Sequence, residues 1–182
     1  MPSKVVDMAR KTGASVVECT EQEAAGRLSR IHMRPGHLIR RAQQIAVAIF
    51  LDECANSDLT PVQYAALVAI EANPDIDATR LSAIIAFDRS TLGDVLERLE
   101  TKGLVTRRAS PDDKRIKLVR IAPKGRRLVA EVEDYVERAQ ARILEPLSTR
   151  EQEQLVALLA KLADAHNETS RVPLRAPKRV RS

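Results

Sequence analysis

The sequence predicts a mostly α-helical fold with one small β-hairpin, a winged helix-turn-helix unit framed by long amphipathic helices at both ends. Three observations predict it. Apolar residues recur at three- and four-residue spacings along most of the chain and switch to alternation in one short stretch. Aromatic residues make up only 2%, so the core must be built from the Leu, Ile, Val and Ala that helices carry easily. Charge is polarised: positions 89–127 hold twelve bases and five acids, positions 171–182 hold five bases and no acid, and the remainder holds thirteen bases against twenty acids. A polyanion is attracted to such a patch and repelled by the rest, which orients the complex.

The elements follow in order. Residues 1–25 lack a sustained apolar period and are expected as a loose arm or short helix. From about 34 to 53, Leu38, Ala42, Ile45 and Ile49 form one helical stripe, with Pro35 in the first turn, where a missing N–H costs nothing. Thr60-Pro61-Val62-Gln63 is a helix start: a Thr cap, Pro at the first position and Gln completing a capping box. That helix runs to about Ala72 and is stopped by Asn73-Pro74. A short helix at 78–86 and a longer one at 89–102 follow, the latter with Leu92, Val95, Leu96 and Leu99 on one face and Gly103 at its stop. The period then becomes two. Segments 104–108 and 116–121 read as strands around the turn-forming Ala109-Ser110-Pro111-Asp112-Asp113-Lys114. Pro123 reopens a helix with Leu128, Val132, Val136, Ala139 and Ile143 on one side, ended by Pro146. Ser148-Thr149-Arg150-Glu151 is a second capping box, opening a helix with Leu155, Leu158, Leu159 and Leu162. The division is therefore an arm (1–25), flanking helices (26–56 and 123–168), a winged unit (57–122) and a basic disordered tail (169–182).

Other classes are poorly served. At 182 residues the chain suits one compact domain or two small, closely joined ones. No apolar run approaches the roughly 18 residues that cross a membrane, and the N-terminus lacks a signal-type core. Cys19 and Cys54 are too few for a disulfide framework. The cytoplasm is the expected compartment. No nucleophile elbow, phosphate loop, metal motif or dinucleotide fingerprint is present, so neither an enzyme nor a cofactor is expected.

Three short helices and a hairpin suit double-stranded DNA: the third helix fits the major groove and the hairpin reaches a neighbouring groove. With the leucine face inward, Arg89, Ser90, Thr91, Asp94 and Arg98 are left for bases or phosphates. On the wing, Arg107, Arg108, Lys114 and Arg115 are candidates for phosphate or the minor groove. Asp112 and Asp113 at a DNA-seeking tip make sense when one of them pairs with Arg115.

Leu59-Thr60-Pro61-Val62-Gln63-Tyr64, Asp88-Arg89-Ser90-Thr91-Leu92, Leu99-Glu100-Thr101-Lys102-Gly103-Leu104-Val105, Ser110-Pro111-Asp112-Asp113-Lys114-Arg115 and Pro123-Lys124-Gly125 together resemble the MarR family of bacterial transcription regulators over about 30–165. The resemblance implies a homodimer joined through its first and last two helices, reading a pseudo-palindrome as a repressor. It also implies an Asp113–Arg115 pair that structures the wing. A small aromatic acid, or its coenzyme A thioester, is the implied effector. His32, Arg34, His37, Arg40 and Arg41 are candidates for its carboxylate or phosphates, and Tyr64 for an apolar wall with a hydroxyl. This stretch resembles the branch that controls aromatic-acid catabolism. The alternatives are partner-subunit acids for Arg40 and Arg41, and a core position for Tyr64. His32 and His37, five residues apart, do not share a helical face well, so metal sensing is not expected. Two further readings stand beside it: redox sensing through Cys19 or Cys54, and an architectural DNA-binding protein without a ligand. Cys19 lies between Glu18 and Glu21, which disfavours a thiolate, and Cys54 ends an apolar helix where packing is expected.

Overall fold

The structure, a computed structural model, describes residues 21–175. It falls into two compact units, Met1–Ala42 and Gln43–Ser182.

In the first unit, helix α1 (Glu21–His32) is followed by the opening turns of α2 (Pro35–Glu53). The helix begins inside the stretch expected as a loose arm or short helix. Glu-Gln-Glu-Ala-Ala has strong helix propensity but no apolar rhythm, so periodicity alone does not reveal it. The break between α1 and α2 lies at Met33-Arg34, where the residue before Pro35 is pushed away from helical angles. There the Arg34 N–H caps back to the Ile31 carbonyl at 3.1 Å.

The second unit holds the winged module. Helix α3 (Pro61–Ala72) opens with the expected capping box: the Gln63 N–H donates to Thr60 Oγ1 at 3.3 Å and the Thr60 N–H to Gln63 Oε1 at 3.1 Å. Helix α4 (Ala78–Ile85) is capped by Asp77 and ends on Ala86, a left-handed alanine at φ 48°. Helix α5 (Arg89–Thr101) is capped by Asp88, and the chain leaves it through Gly103 at φ 69°. Strands β2 (Val105–Ala109) and β3 (Lys117–Ile121) form the wing. The sheet has a third strand that the two-stranded expectation lacked. Strand β1 (Ile76–Asp77) pairs antiparallel to β3, Ile76 opposite Val119, giving the order β1-β3-β2. Two residues are too short to show a period, so only tertiary pairing reveals them.

The core of this module is aliphatic. Leu67, Ile70, Leu81, Leu92, Leu99 and Val119 are fully buried, and α3, α4, α5 and the sheet all contribute. Helix α6 (Pro123–Leu144) leaves the wing by a close approach. The Ala122 N–H donates to the Leu104 carbonyl at 2.9 Å, and a Cβ on Gly125 would collide with that same oxygen. That contact is the physical reason for glycine in Pro123-Lys124-Gly125. Farther along α6, Val132, Val136 and Ala139 are buried. Helix α7 (Thr149–Ala165) follows the Ser148–Glu151 capping box, yet buries none of its residues.

The stretch from 166 to 175 departs from the expected disordered tail. It forms a 3₁₀ turn at Asn167–Thr169 and an ordered loop beyond it. Positions 176–182, the rest of that expected tail, lie outside the described residues.

Candidate nucleic-acid interface

Helix α5 divides as its sequence requires. Leu92, Val95, Leu96 and Leu99 are buried, while Arg89, Ser90, Thr91, Asp94 and Arg98 are exposed. Its N-terminus is fixed by Asp88, which accepts from the Ser90 N–H at 2.8 Å and the Ser90 hydroxyl at 2.6 Å. These bonds, the hydroxyl's first, hold the Asp88 carboxyl below its ordinary range, with Arg171 adding to the effect. Ser90 therefore spends its hydroxyl proton on the cap and presents only lone pairs outward.

Between α5 and the sheet lies a cleft of about 370 Å³ that gathers Arg89 and Gly93 from the helix with Arg107, Arg115 and Lys117 from the wing. The cleft is basic and meets α5 along Arg89, Gly93 and Leu96, whereas Asp94 and Arg98 face a separate surface of the helix. Lys117 was not among the sequence candidates, although the apolar/basic alternation of its strand carried the signal. Arg89, Arg98, Lys114 and Lys117 have no carboxylate partner among the described residues. Among the cations of α5 and the wing, these four are the ones that no carboxylate of the described residues holds.

The remaining wing arginines are partly committed. Arg107 turns in to Glu100 of α5, its Nε donating at 2.6 Å, and is under one-third exposed. Asp75, left-handed at φ 61°, accepts from Arg108 on β2 (Nε 3.2 Å) and from Arg120 on β3. One carboxylate thus ties both wing strands to the start of β1. The Arg120 and Arg108 hydrogen bonds hold the Asp75 carboxyl well below its ordinary range. At the tip, Arg115 donates from Nε and Nη2 to Asp113, both at 3.1 Å, while the Arg115 N–H reaches Asp113 Oδ1 at 2.9 Å. Asp113 so fixes both the turn and the guanidinium, which stays about nine-tenths exposed. Asp112 remains in solvent. Arg126, another cation of the basic stretch, pairs with Glu71 at 3.2 Å.

In the first unit, the break between α1 and α2 brings His32 and His37 together with ring centroids 5.2 Å apart. The expectation that they diverge assumed one continuous helix. Arg40 Nη2 lies 3.5 Å from His37 Nδ1. Partial desolvation, then Arg40, His32 and Arg41, depress the pKa of His37. Four cationic or imidazole side chains crowd one helix start, with Arg34 at the break and Met33 exposed nearby. Such a cluster attracts an anion. No group of His, Cys, Asp and Glu suited to a metal occurs among the described residues.

In the second unit, Tyr64 stands at the edge of the core, 6.2 Å from the Phe50 ring, and donates its hydroxyl to Glu133 of α6 at 2.8 Å. Burial and then that hydrogen bond push its pKa up to about 12. Its hydroxyl is therefore already engaged by an anion, and the free handle expected for a carboxylate is absent. The aromatic wall remains. Cys54 is buried, and burial followed by Glu53 pushes its thiol up. A reactive thiolate needs the opposite environment. Cys19 lies outside the described residues. Among the described residues, no helix is long and apolar enough to cross a membrane.

Comparison with known proteins places this geometry in a family. The family model described as MarR family matches residues 57–116, the winged module. A transcriptional regulatory protein described for the hcr operon of Thauera aromatica is 31% identical over 160 residues, 88% of this chain and 93% of that protein. Among solved structures, Bordetella bronchiseptica BpsR, whose DNA binding is regulated by 6-hydroxynicotinic acid, is 33% identical with a TM-score of 0.68, covering 73% of this chain and 95% of that one. The transcriptional repressor CouR, solved on a 23-mer DNA duplex, is 31% identical with a TM-score of 0.67, covering 76% of this chain and 96% of that one.

Proposed function

The chain belongs to the MarR family of transcription regulators, and on that premise we propose that it is a homodimeric repressor released from a pseudo-palindromic operator by a small aromatic acid or its coenzyme A thioester. The observation that carries the DNA part is the basic cleft between α5 and the wing, which Arg89 of α5 shares with Arg107, Arg115 and Lys117. In this reading the N-terminal turn of α5 enters the major groove with Arg89, Ser90 and Thr91 near the bases, Asp94 flanking them and Arg98 on a phosphate. Arg115, Lys114 and Lys117 contact the adjacent backbone or minor groove. Arg107 and Arg108 act mainly by holding the wing, since Glu100 and Asp75 already occupy them.

Dimerisation is supported by unmatched apolar surface. Leu155, Leu158, Leu159 and Leu162 of α7 are 36–65% exposed, as are Leu28 and Ile31 of α1 within the same range. Such surface is normally covered by another chain. A dimer of this plan spaces its half-sites about one helical turn apart, roughly 10 base pairs.

The effector reading rests on the His32, Arg34, His37, Arg40 and Arg41 cluster, which offers an anion several donors, and on the small aromatic acid that regulates BpsR. Tyr64 supplies ring surface in this reading, not a hydroxyl. The test is titration of the full-length protein against DNA from upstream of its own gene and against mixed-sequence DNA, with and without 6-hydroxynicotinate and hydroxycinnamoyl coenzyme A. Promoter binding orders of magnitude tighter than mixed-sequence binding, weakened by one of these compounds, supports the reading. Equal affinity for both duplexes, unmoved by either compound, replaces it with an architectural role.

A further inference from the structure

The loop that follows α7 ends against the turn between α4 and α5. Within it, the Leu174 N–H donates to Asn167 Oδ1 at 2.8 Å and Asn167 Nδ2 to the Leu174 carbonyl at 3.3 Å. Arg175 is spent on a two-pronged pair with Glu168 at 2.6 and 2.9 Å. The closed loop is anchored by a bond that α4 needs. The last carbonyls of a helix lack helical donors, and the N–H groups of Ala86 and Phe87 both go to Ser82. The Ala83 carbonyl takes the Arg175 N–H instead, at 2.8 Å. Docking puts Arg171 beside Asp88, the cap of α5, with Nη2 3.5 Å from Oδ2. The Arg171 guanidinium stays 91% exposed. Asp88 Oδ1 already accepts twice from Ser90, so the cap fixes a carboxylate at this end of α5. In the DNA reading that end meets the phosphates, and like charge repels. Arg171 offsets the repulsion. Its loose, exposed pair also leaves most of its five N–H donors open to solvent, whereas Arg107 is held close by Glu100 and is under one-third exposed.

We propose that Arg171 is a DNA contact: the loop 167–175 carries it to the N-terminus of α5, where its guanidinium clamps a phosphate. The proposal rests on the DNA-binding reading above. Guanidinium and phosphate match in a two-pronged pair, and the positive end of the α5 dipole favours the same anion. Such a contact adds affinity on any sequence. It also fixes how α5 sits in the groove without reading a base.

The experiment compares full-length wild type with Arg171→Ala, Asn167→Ala and Arg150→Ala on a mixed-sequence duplex over a series of salt concentrations. Arg150→Ala removes the same charge at the start of α7, beyond the far end of the 22-residue α6, a helix about 33 Å long. Thermal unfolding and sedimentation confirm that each protein keeps its fold and assembly. Arg171→Ala is expected to bind severalfold more weakly and to flatten the plot of log K against log salt by about 0.9 per protomer. Arg150→Ala should leave the slope unchanged. Asn167→Ala keeps every charge but opens the loop, so it should lose part of the same slope. A wild-type slope in Arg171→Ala, or an equal loss in Arg150→Ala, overturns the proposal. A wild-type slope in Asn167→Ala overturns placement by the loop. The last arm repeats Arg171→Ala in an Asp88→Asn background, where asparagine keeps the cap without the charge. A phosphate contact still loses slope there. A loss that vanishes means that Arg171 only neutralises Asp88, and overturns the contact. Failure of the wild type itself to bind DNA sinks the underlying reading, and the proposal with it.

Discussion

The winged module and helix α7 are built from the same residues to opposite effect. In the module, Leu67, Leu92 and Leu99 are fully buried and the helices, sheet and wing satisfy one another. In α7, Leu155, Leu158, Leu159 and Leu162 lie on one stripe, yet every residue of the helix stays at least partly exposed. The capping boxes of α3 and α7 are equally well formed, so local helix signals do not separate them. What differs is the partner. The module supplies its own, whereas the leucines of α7 stay exposed among the described residues. Under the proposed homodimer, such a chain would separate reading DNA from assembling the reader.

The sharpest way to break this comparison is to truncate one leucine in each region. Leu99→Ala should destabilise the protein by about 2–5 kcal/mol, measured by urea unfolding, because it leaves a cavity in a closed core. Leu158→Ala, at a site 65% exposed in the single chain, should cost about 0.5 kcal/mol or less at concentrations where the protein is monomeric, and more only where a proposed dimer covers it. Equal, concentration-independent losses at both sites would show that α7 packs within its own chain. Next in size, Leu159→Glu places a charge on the α7 stripe and should weaken dimerisation at least about tenfold, or ~1.4 kcal/mol, by sedimentation. The winged module should keep its helical signal.

Arg115→Ala tests the other side. With Asp113 released and an exposed guanidinium lost, operator affinity should fall by about 1–3 kcal/mol while the dimer stays intact. Unchanged affinity would remove Arg115 from the DNA. The smallest effect concerns acid. Arg120 and Arg108 lower the pKa of Asp75 in the folded state, so its contribution to stability is complete above the ordinary carboxylate range. That contribution is lost as the pH falls through the lowered folded value. Asp75→Asn should therefore show a shallower loss of urea midpoint on acidification than wild type. Parallel curves would mean that Asp75 does not tie the wing strands together in solution.

Much of this was legible along the chain because it is written in local chemistry. Thr60 with Gln63 and Ser148 with Glu151 mark helix starts, Gly103 marks a stop, and the change of period after it marks the wing. The division of α5 into a leucine face and a polar face also followed from spacing alone. The contents of the basic surface were less legible. Charge counting treats Arg107, Arg108 and Arg115 alike, but Glu100, Asp75 and Asp113 commit them to different degrees. Tyr64 is similar, since its partner Glu133 is 69 residues away and no pattern links them. His32 and His37 meet only because the helix breaks between them.

The sequence by itself determined the helices, their caps, the hairpin, the inward faces and the polarity of charge, since each depends on residues within a turn or two of one another. Tertiary structure alone decided four things. It added β1 to the sheet and chose which arginines are held by carboxylates. It left the α7 leucines exposed among the described residues, and it turned part of an expected disordered tail into an ordered loop against Ala83 and Asp88. The physical reason is range. Backbone hydrogen bonding and side-chain periodicity act over a few residues, whereas ion pairing, strand addition and burial depend on which distant segments meet in space.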